Sequence, residues 1–283
     1  MELRLCLLGR FELRAGDKVV VDRTWSRRKA AALLKLLALH PARSLHREQV
    51  LDVLWPDLDP AAAANNLHKT LHYLRAAFAG HGVPATTVEL ARDAVVLASA
   101  VWIDWDAFRT HAAATRGSGD PESLAAALAY YGGPLLPEDL YEDWTEPARQ
   151  GLQALYLELL AELAQVHETR GQPAQAIPCW RQLLETDPLH EPAHRALMRL
   201  YAQSGRRHDA LRQYQACRTA LERELGVAPA AETEALFQAI ATGHAAAWGV
   251  GERTGIATIA TAAAVWCQRV AVRAVAALTR RTG

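Results

Sequence analysis

Lysine is nearly missing from this chain: there are four, at positions 18, 29, 35 and 69, and none follows Lys69. A GxxxxGK[ST] phosphate loop is therefore excluded beyond residue 69, because its lysine must reach the nucleotide phosphates. Cysteine is scarce as well. Cys6, Cys179, Cys217 and Cys267 form no CxxC pair, so neither a zinc ribbon nor a redox pair is indicated, and four thiols in 283 residues make no disulfide framework. A reducing cytoplasm fits that usage. Long apolar runs are absent too: the stretch between Arg4 and Arg10 is too short for a secretory signal, and the longest uncharged run near the C-terminus, 255–267, falls short of the ~20 residues that cross a bilayer. No secretion and no membrane span are expected.

Net charge is also lacking, with 31 Lys and Arg balancing 31 Asp and Glu, but the balance is uneven along the chain. Residues 1–100 carry 14 basic against 10 acidic side chains, 101–240 carry 12 against 20, and 241–283 carry 5 against 1. A basic head on an acidic body suits a nucleic-acid binder whose second part meets something other than DNA. Length allows about two domains.

What is present begins with alternation. Leu3, Leu5 and Leu7, then Phe11 and Leu13, then Val19 to Val21 predict three short strands, followed by helices over 27–40, 47–55 and 60–79. Apolar runs at 86–90 and 94–98 around Ala91-Arg92-Asp93 predict a hairpin. Strands, three helices and a hairpin make a winged helix.

The third helix is the most informative. Leu67, Leu71, Leu74 and Phe78 share one stripe at 100° per residue, while Asn65, Lys69, His72 and Ala76 lie opposite, with Asp59 as cap and Pro60 in the first turn. Such a helix can lie in the major groove, with Asn65 on adenine, Lys69 on guanine or phosphate, and Asn66, His68, His72 and Tyr73 around them. Arg27, Arg28 and Lys29 open the first helix and Arg47 the second, where free backbone N–H groups also favour phosphate. Arg92 at the wing tip is placed for the minor groove. Arg75, nearer the apolar edge, can brace the domain by an ion pair or reach phosphate. A solvated polar face is the bland alternative for this helix, and the surrounding winged-helix pattern argues against it.

From Asp104 the pattern is helical, and a shift of 34 residues aligns Gly171 with Gly205, Ala176 with Ala210 and Trp180 with Tyr214, the tetratricopeptide period. Residues 105–131 read as an earlier helix pair, 132–137 as a break and 230–240 as a closing helix. The fold class is thus mainly α with a small β part, a winged helix-turn-helix over 1–99 and a tetratricopeptide-like all-α domain over 100–240. The basic, Ala-rich tail over 241–283 fits neither, and a surface helix, a membrane-surface contact and disorder all stay open for it.

His190-Glu191-Pro192-Ala193-His194 fits HExxH, yet Pro192 belongs in a first helical turn, which leaves His190 before the helix and spoils the one-face pairing of a zinc protease. Trp25, Trp55, Trp102, Trp105, Trp144 and Trp180 are read as core and domain-contact residues rather than a ligand cage. No nucleophile–base spacing stands out. Neither a catalytic site, a metal nor a cofactor is expected.

In these residues the chain resembles transcriptional activators of the Streptomyces antibiotic regulatory protein type, which join a winged helix to a bacterial transcriptional activator domain. The resemblance rests on Leu8-Gly9-Arg10-Phe11-Glu12-Leu13, Arg28-Lys29-Ala30, Arg47-Glu48-Gln49-Val50, Leu54-Trp55-Pro56, Asn65-Asn66-Leu67, Asp104-Trp105-Asp106-Ala107-Phe108, Tyr130-Tyr131-Gly132-Gly133-Pro134 and Glu224-Leu225-Gly226-Val227-Ala228-Pro229, in that order. It implies double-stranded DNA and RNA polymerase holoenzyme as partners, with a homodimer or cooperative assembly on direct repeats. His46 stands where the family commonly caps the second helix with Ser or Thr, a poorer cap worth about 1 kcal/mol unless Ser44 substitutes. No receiver domain precedes the winged helix in this sequence, so phosphorylation of one is not the expected switch. The rival reading is a protein-binding scaffold whose winged helix docks protein.

Overall fold

The computed structural model describes residues 2–20 and 28–243. Trp25, Arg27 and the tail beyond Gly243 lie outside the described residues. In chain order the first elements are β1 (Leu3–Cys6), β2 (Glu12–Ala15), β3 (Lys18–Val19), α1 (Arg28–Leu39), β4 (Ser44–His46), α2 (Arg47–Leu54), α3 (Pro60–Ala79), β5 (Val88–Ala91), β6 (Ala94–Leu97) and β7 (Trp102–Ile103). Then follow α4 (Asp104–Thr115), α5 (Pro121–Leu128), α6 (Glu146–Thr169), α7 (Pro173–Thr186), α8 (Glu191–Gln203), α9 (Arg207–Leu225) and α10 (Ala231–Thr242). No described helix is long and apolar enough to cross a membrane.

Two compact units form, and they do not follow chain order: residues 1–111 with 129–153, and 112–128 with 154–258, apart from the undescribed ends. In the first unit β1 pairs antiparallel with β2, Leu5 opposite Leu13, so the alternating leucines of both strands enter one core. The predicted hairpin is β5 and β6 joined by Arg92-Asp93, but Thr86 and Thr87 sit in a short 3-10 turn before it. Two strands escaped the sequence reading. β4 adds to the wing against β6, and β7 lies parallel to β1 with Ile103 beside Leu5. At three and two residues they are too short to carry a period, and only their partners make them strands.

The break at 132–137 interrupts helices but not the core. Gly9 N–H donates to the Pro134 carbonyl at 2.9 Å, Leu136 N–H to the Leu7 carbonyl at 2.8 Å, and Leu135 and Leu136 are fully buried. The two backbones pass so closely that a Cβ on Gly9, whose φ is +80°, would lie 2.6 Å from the Gly132 carbonyl oxygen. Replacing Gly9 with Ala should therefore cost about 2–3 kcal/mol, from left-handed strain plus overpacking. The same change at Gly171, also at positive φ but in open space, should cost only about 1 kcal/mol. Urea titrations of the two variants compare them directly.

Three polar side chains complete this core. Asp104 at the start of α4 accepts from the N–H groups of Leu7 (2.8 Å) and Leu8 (2.9 Å), and burial pushes its carboxyl above the ordinary value while those N–H groups pull it back. Lys35, buried on α1, pairs with Asp139 and lies 4.3 Å from the Phe11 ring centroid. Arg149 donates to the carbonyls of Leu135 (3.0 Å) and Asp139 (3.2 Å) and to Thr145 Oγ1 (2.8 Å), tying the whole 135–149 segment into one knot. The sequence reading quoted Asp104 only as part of a family signature and gave none of the three a structural role.

In the second unit the 34-residue match is a structural match. Gly171 and Gly205 turn the chain at φ +65° and +73°, Ala176 and Ala210 are fully buried where helices meet, and Trp180 and Tyr214 fill the grooves beside them. α6 with α7 and α8 with α9 are the two regular pairs, and α10 closes the stack, Phe237 stacking on Tyr214 at 4.0 Å between ring centroids.

The HExxH segment folds as Pro192 dictates. His190 is the N-cap of α8, its Nδ1 accepting from Ala193 N–H at 3.1 Å, while buried His194 shares Nε2 with the Pro188 carbonyl (3.0 Å) and Nδ1 with Gln213 (2.7 Å). Burial lowers the pKa of both, which favours the neutral form in the fold. The unfolded chain binds those protons more readily, hence the stability they leave intact above the ordinary value of 6.5 is lost as pH falls below it. Thermal melts should drop as pH falls from 7.5 to 6, and less so in His190→Asn, which keeps a cap but cannot titrate.

Candidate nucleic-acid interface

α3 starts where Asp59 Oδ1 accepts from the N–H groups of Ala61 and Ala62, both at 3.0 Å, and Pro60 presets the first turn. Its leucine stripe then decides its orientation. Leu67, Leu71, Leu74 and Phe78 are all buried, together with Ala63 and Thr70. Hiding four large side chains is worth roughly 1.5–3 kcal/mol each, far more than any polar contact on the other face could offset. The helix has one way to sit, and Asn65, His68, Lys69, His72, Tyr73 and Ala76 are left exposed by it.

The helix that precedes it is capped by a route the sequence did not suggest. Ser44 lies in β4 and takes no part; instead His46 N–H donates to Gln49 Oε1 at 3.1 Å while His46 Nδ1 accepts weakly from Glu48 N–H at 3.4 Å. The Gln side chain thus repairs what the histidine does poorly.

Between the N-terminus of α1 and the exposed side of α3 runs an open groove of about 490 Å³, lined by Arg28, Lys29, Trp55, Asn66, Lys69 and Tyr73 with Ala30 and Thr70 at its floor. Three cations, an amide and two aromatic rings converge there, while Asn65, His68 and His72 stand on the exposed surface of the same helix. The His72 and Tyr73 rings meet edge to face at 5.8 Å. Trp55, read as core, is half-exposed and lines the groove; the signal that could have found it is its place directly after α2, at a turn rather than on a buried stripe.

The remaining arginines are placed differently from one another. Arg92 occupies the wing tip, exposed, at φ +55°. Arg75 is half-buried and Nε donates to the Val88 carbonyl at 3.4 Å, which braces α3 against β5 by a hydrogen bond rather than an ion pair. Arg47, at the first position of α2, is half-buried; its backbone N–H donates to the Asp93 carbonyl at 2.6 Å and its Nε is buried without a partner among the described residues. Arg43 also holds the wing's base, donating to the carbonyls of Ser99 (2.9 Å) and Val101 (2.6 Å) and pairing with Asp106 at 3.0 Å. Arg27 lies outside the described residues.

Among the described residues, no group of three or more His, Cys, Asp and Glu side chains gathers to hold a metal. What the site offers is a rigid donor face beside a cationic groove.

Comparison with known proteins bears on the fold and on the second half of the chain. Residues 103–241 match the family described as the bacterial transcriptional activator domain. Over 230 residues the chain is 25% identical to the transcriptional regulatory protein EmbR of Mycobacterium bovis and of Mycobacterium tuberculosis, covering 75% of this chain and 57% of those relatives. It thus spans little more than half of their length. A solved structure of Mycobacterium tuberculosis EmbR, in complex with a low affinity phosphopeptide, has the same fold at a TM-score of 0.68 and 22% identity, over 96% of this chain and 70% of that one. With a winged helix ahead of a region that matches the bacterial transcriptional activator domain, the chain is similar in architecture to activators of the Streptomyces antibiotic regulatory protein type.

Proposed function

We propose that this protein is a sequence-specific DNA-binding transcriptional activator, working in the cytoplasm on double-stranded DNA at promoter repeats and contacting RNA polymerase holoenzyme. The single observation that carries the reading is the exposed face of α3, an amide–ammonium–imidazole surface clamped from behind by buried leucines and flanked by the Arg28–Lys29 groove. In this reading α3 lies in the major groove, where Asn65 and Asn66 offer the paired donor and acceptor that adenine matches and Lys69 meets guanine or phosphate. Arg28 and Lys29, at the positive end of α1, take phosphate and fix register. Arg92 enters the adjacent minor groove. Arg47 and Arg75 support the scaffold as much as the duplex, since both are tied to the wing. The acidic stretch 101–240 repels phosphate and serves protein partners, including neighbouring copies on repeated sites. No catalytic step and no cofactor enter the scheme.

Gel-shift titration and footprinting on the DNA upstream of the protein's own gene test it. An activator of this kind protects spaced repeats at concentrations where unrelated DNA is untouched. Weak, salt-sensitive retention of any sequence would instead support a protein-binding scaffold.

A further inference from the structure

Between two short 3-10 turns, Pro137–Asp139 and Asp143–Thr145, the chain pushes Leu140 and Tyr141 outward, 58% and 98% exposed. Residues 137–146 hold five carboxylates and no basic side chain. Asp139 is paired with Lys35 and Glu146 with Arg149, but Glu138, Glu142 and Asp143 are exposed and meet no cation among the described residues. The projection is not slack. Buried Thr145 donates its hydroxyl to the Glu142 carbonyl at 2.8 Å, the Trp144 indole N–H donates to the Glu142 carboxylate at 2.9 Å, and the Asp139–Lys35 pair pins the turn to α1. The result is an apolar tip with a carboxylate rim, held in water where it gains nothing for folding. The groove between α1 and α3 has the complementary character. Arg28, Lys29 and Lys69 are exposed there without a carboxylate partner among the described residues, between walls of Trp55 and Tyr73. Knob and groove belong to one compact unit, yet no residue of 137–146 lines the groove. The brace at Lys35 holds the knob roughly 9 Å along α1 from Lys29.

We infer that the Leu140–Tyr141 knob of one copy seats in the Arg28–Lys29–Lys69 groove of a second copy, and that this contact covers α3 when no DNA is bound. Three rim carboxylates face three groove cations, and the leucine and tyrosine meet the aromatic walls, so charge and apolar surface match together. The chain's other exposed apolar pair, Leu225 and Val227, has neighbours of both signs in Glu222, Arg223 and Glu224 and matches the groove less well. Because the two surfaces differ, the contact closes into a reciprocal pair if each knob reaches the other's groove and otherwise runs on as a chain. Two anchoring side chains make a small interface, so it is weak and salt-sensitive. The masking of α3 rests on the DNA-binding reading given above, in which phosphate takes the same cations. Knob and duplex then compete, which is opposite in sign to cooperative assembly on repeats.

Sedimentation velocity on the full chain, over a range of concentrations at low salt, reads the self-association. Leu140→Ser/Tyr141→Ser, Asp143→Lys and Lys29→Glu should each weaken it by about tenfold or more. Mixing Asp143→Lys with Lys29→Glu should restore it, because lysine then faces glutamate across the contact, whereas a folding defect is not rescued by mixing. A duplex carrying one footprinted repeat should convert associated wild type to one chain per duplex. In dilute solution Leu140→Ser/Tyr141→Ser should bind that duplex within about twofold of wild type. A wild type that stays monomeric at every concentration, association unchanged in the three variants, or no rescue on mixing overturns the inference. So does association lost in the knob variants but kept in Lys29→Glu, which would seat the knob on a different surface. Duplex bound to chains that remain associated overturns the masking. Failure of the wild type to bind DNA while mixing still rescues the pair would strike the activator reading and leave the contact standing.

Discussion

A fragment ending at residue 99 is expected to lose the cooperative fold of the winged helix, although all three helices of that motif lie within it. Such a cut removes β7 from the edge of β1, the Asp104 carboxylate from the N–H groups of Leu7 and Leu8, and Asp139 from buried Lys35. It also uncovers Leu7 and Leu8 by removing Leu135 and Leu136, and strips Ala38 of the Trp105 indole N–H that binds its carbonyl at 3.0 Å. Each buried donor or acceptor left without a partner costs about 1–3 kcal/mol, and each uncovered leucine a similar amount. The sum is on the order of 5–10 kcal/mol, as large as the whole stability of a typical domain. Circular dichroism should show a broad, non-cooperative melt, with gel shifts weakened to match. In the full chain Arg149→Met makes a milder version, leaving the Leu135 carbonyl unserved and taking one of several donors from the Asp139 carbonyl, for about 2 kcal/mol. A 1–99 fragment that melts sharply and binds DNA like the full chain would show that residues 129–153 are passengers.

The second large effect is on DNA. Lys69→Ala should weaken specific binding by about 10-fold to 100-fold, the range for losing one good base or phosphate contact, and should flatten the log–log salt dependence by about one unit if the partner is phosphate. Removing Asn65, Lys69 and His72 together should erase the footprint while leaving the melting temperature within a degree or two. All three are exposed and none helps hold the leucine stripe. An unchanged footprint in that triple variant would mean that the wet side of α3 never meets base edges.

How much of this was readable from the residues varies with the range of the interaction. α3 could be read in full, cap included, because its stripe, Asp59, Pro60 and leucines all act within a few turns of one helix. The paired helices of the second unit were readable for the same reason: Gly171 and Gly205, Ala176 and Ala210, Trp180 and Tyr214 repeat a local geometry. β4 and β7 were not, since a two- or three-residue strand exists only through its partner. Arg75 stayed undecided between two roles until Val88 was seen beside it. Trp55 was misread as core, because aromatic residues are buried often enough that only neighbours from α1 and α3 distinguish a groove wall.

What the amino-acid order determined alone is the set of helices, the longer strands and the outward chemistry of one helix: period and capping are properties of neighbours along the chain, and they set which side chains can share a face. What tertiary structure decided is which distant residues finish the winged-helix unit. Asp104, Asp139 and Arg149 lie far from β1 and α1 in sequence, and no periodicity marks a carboxylate that will meet a buried N–H or a lysine that will need a counter-charge. Those choices follow from desolvation, since a buried polar group is tolerable only where the fold brings its partner.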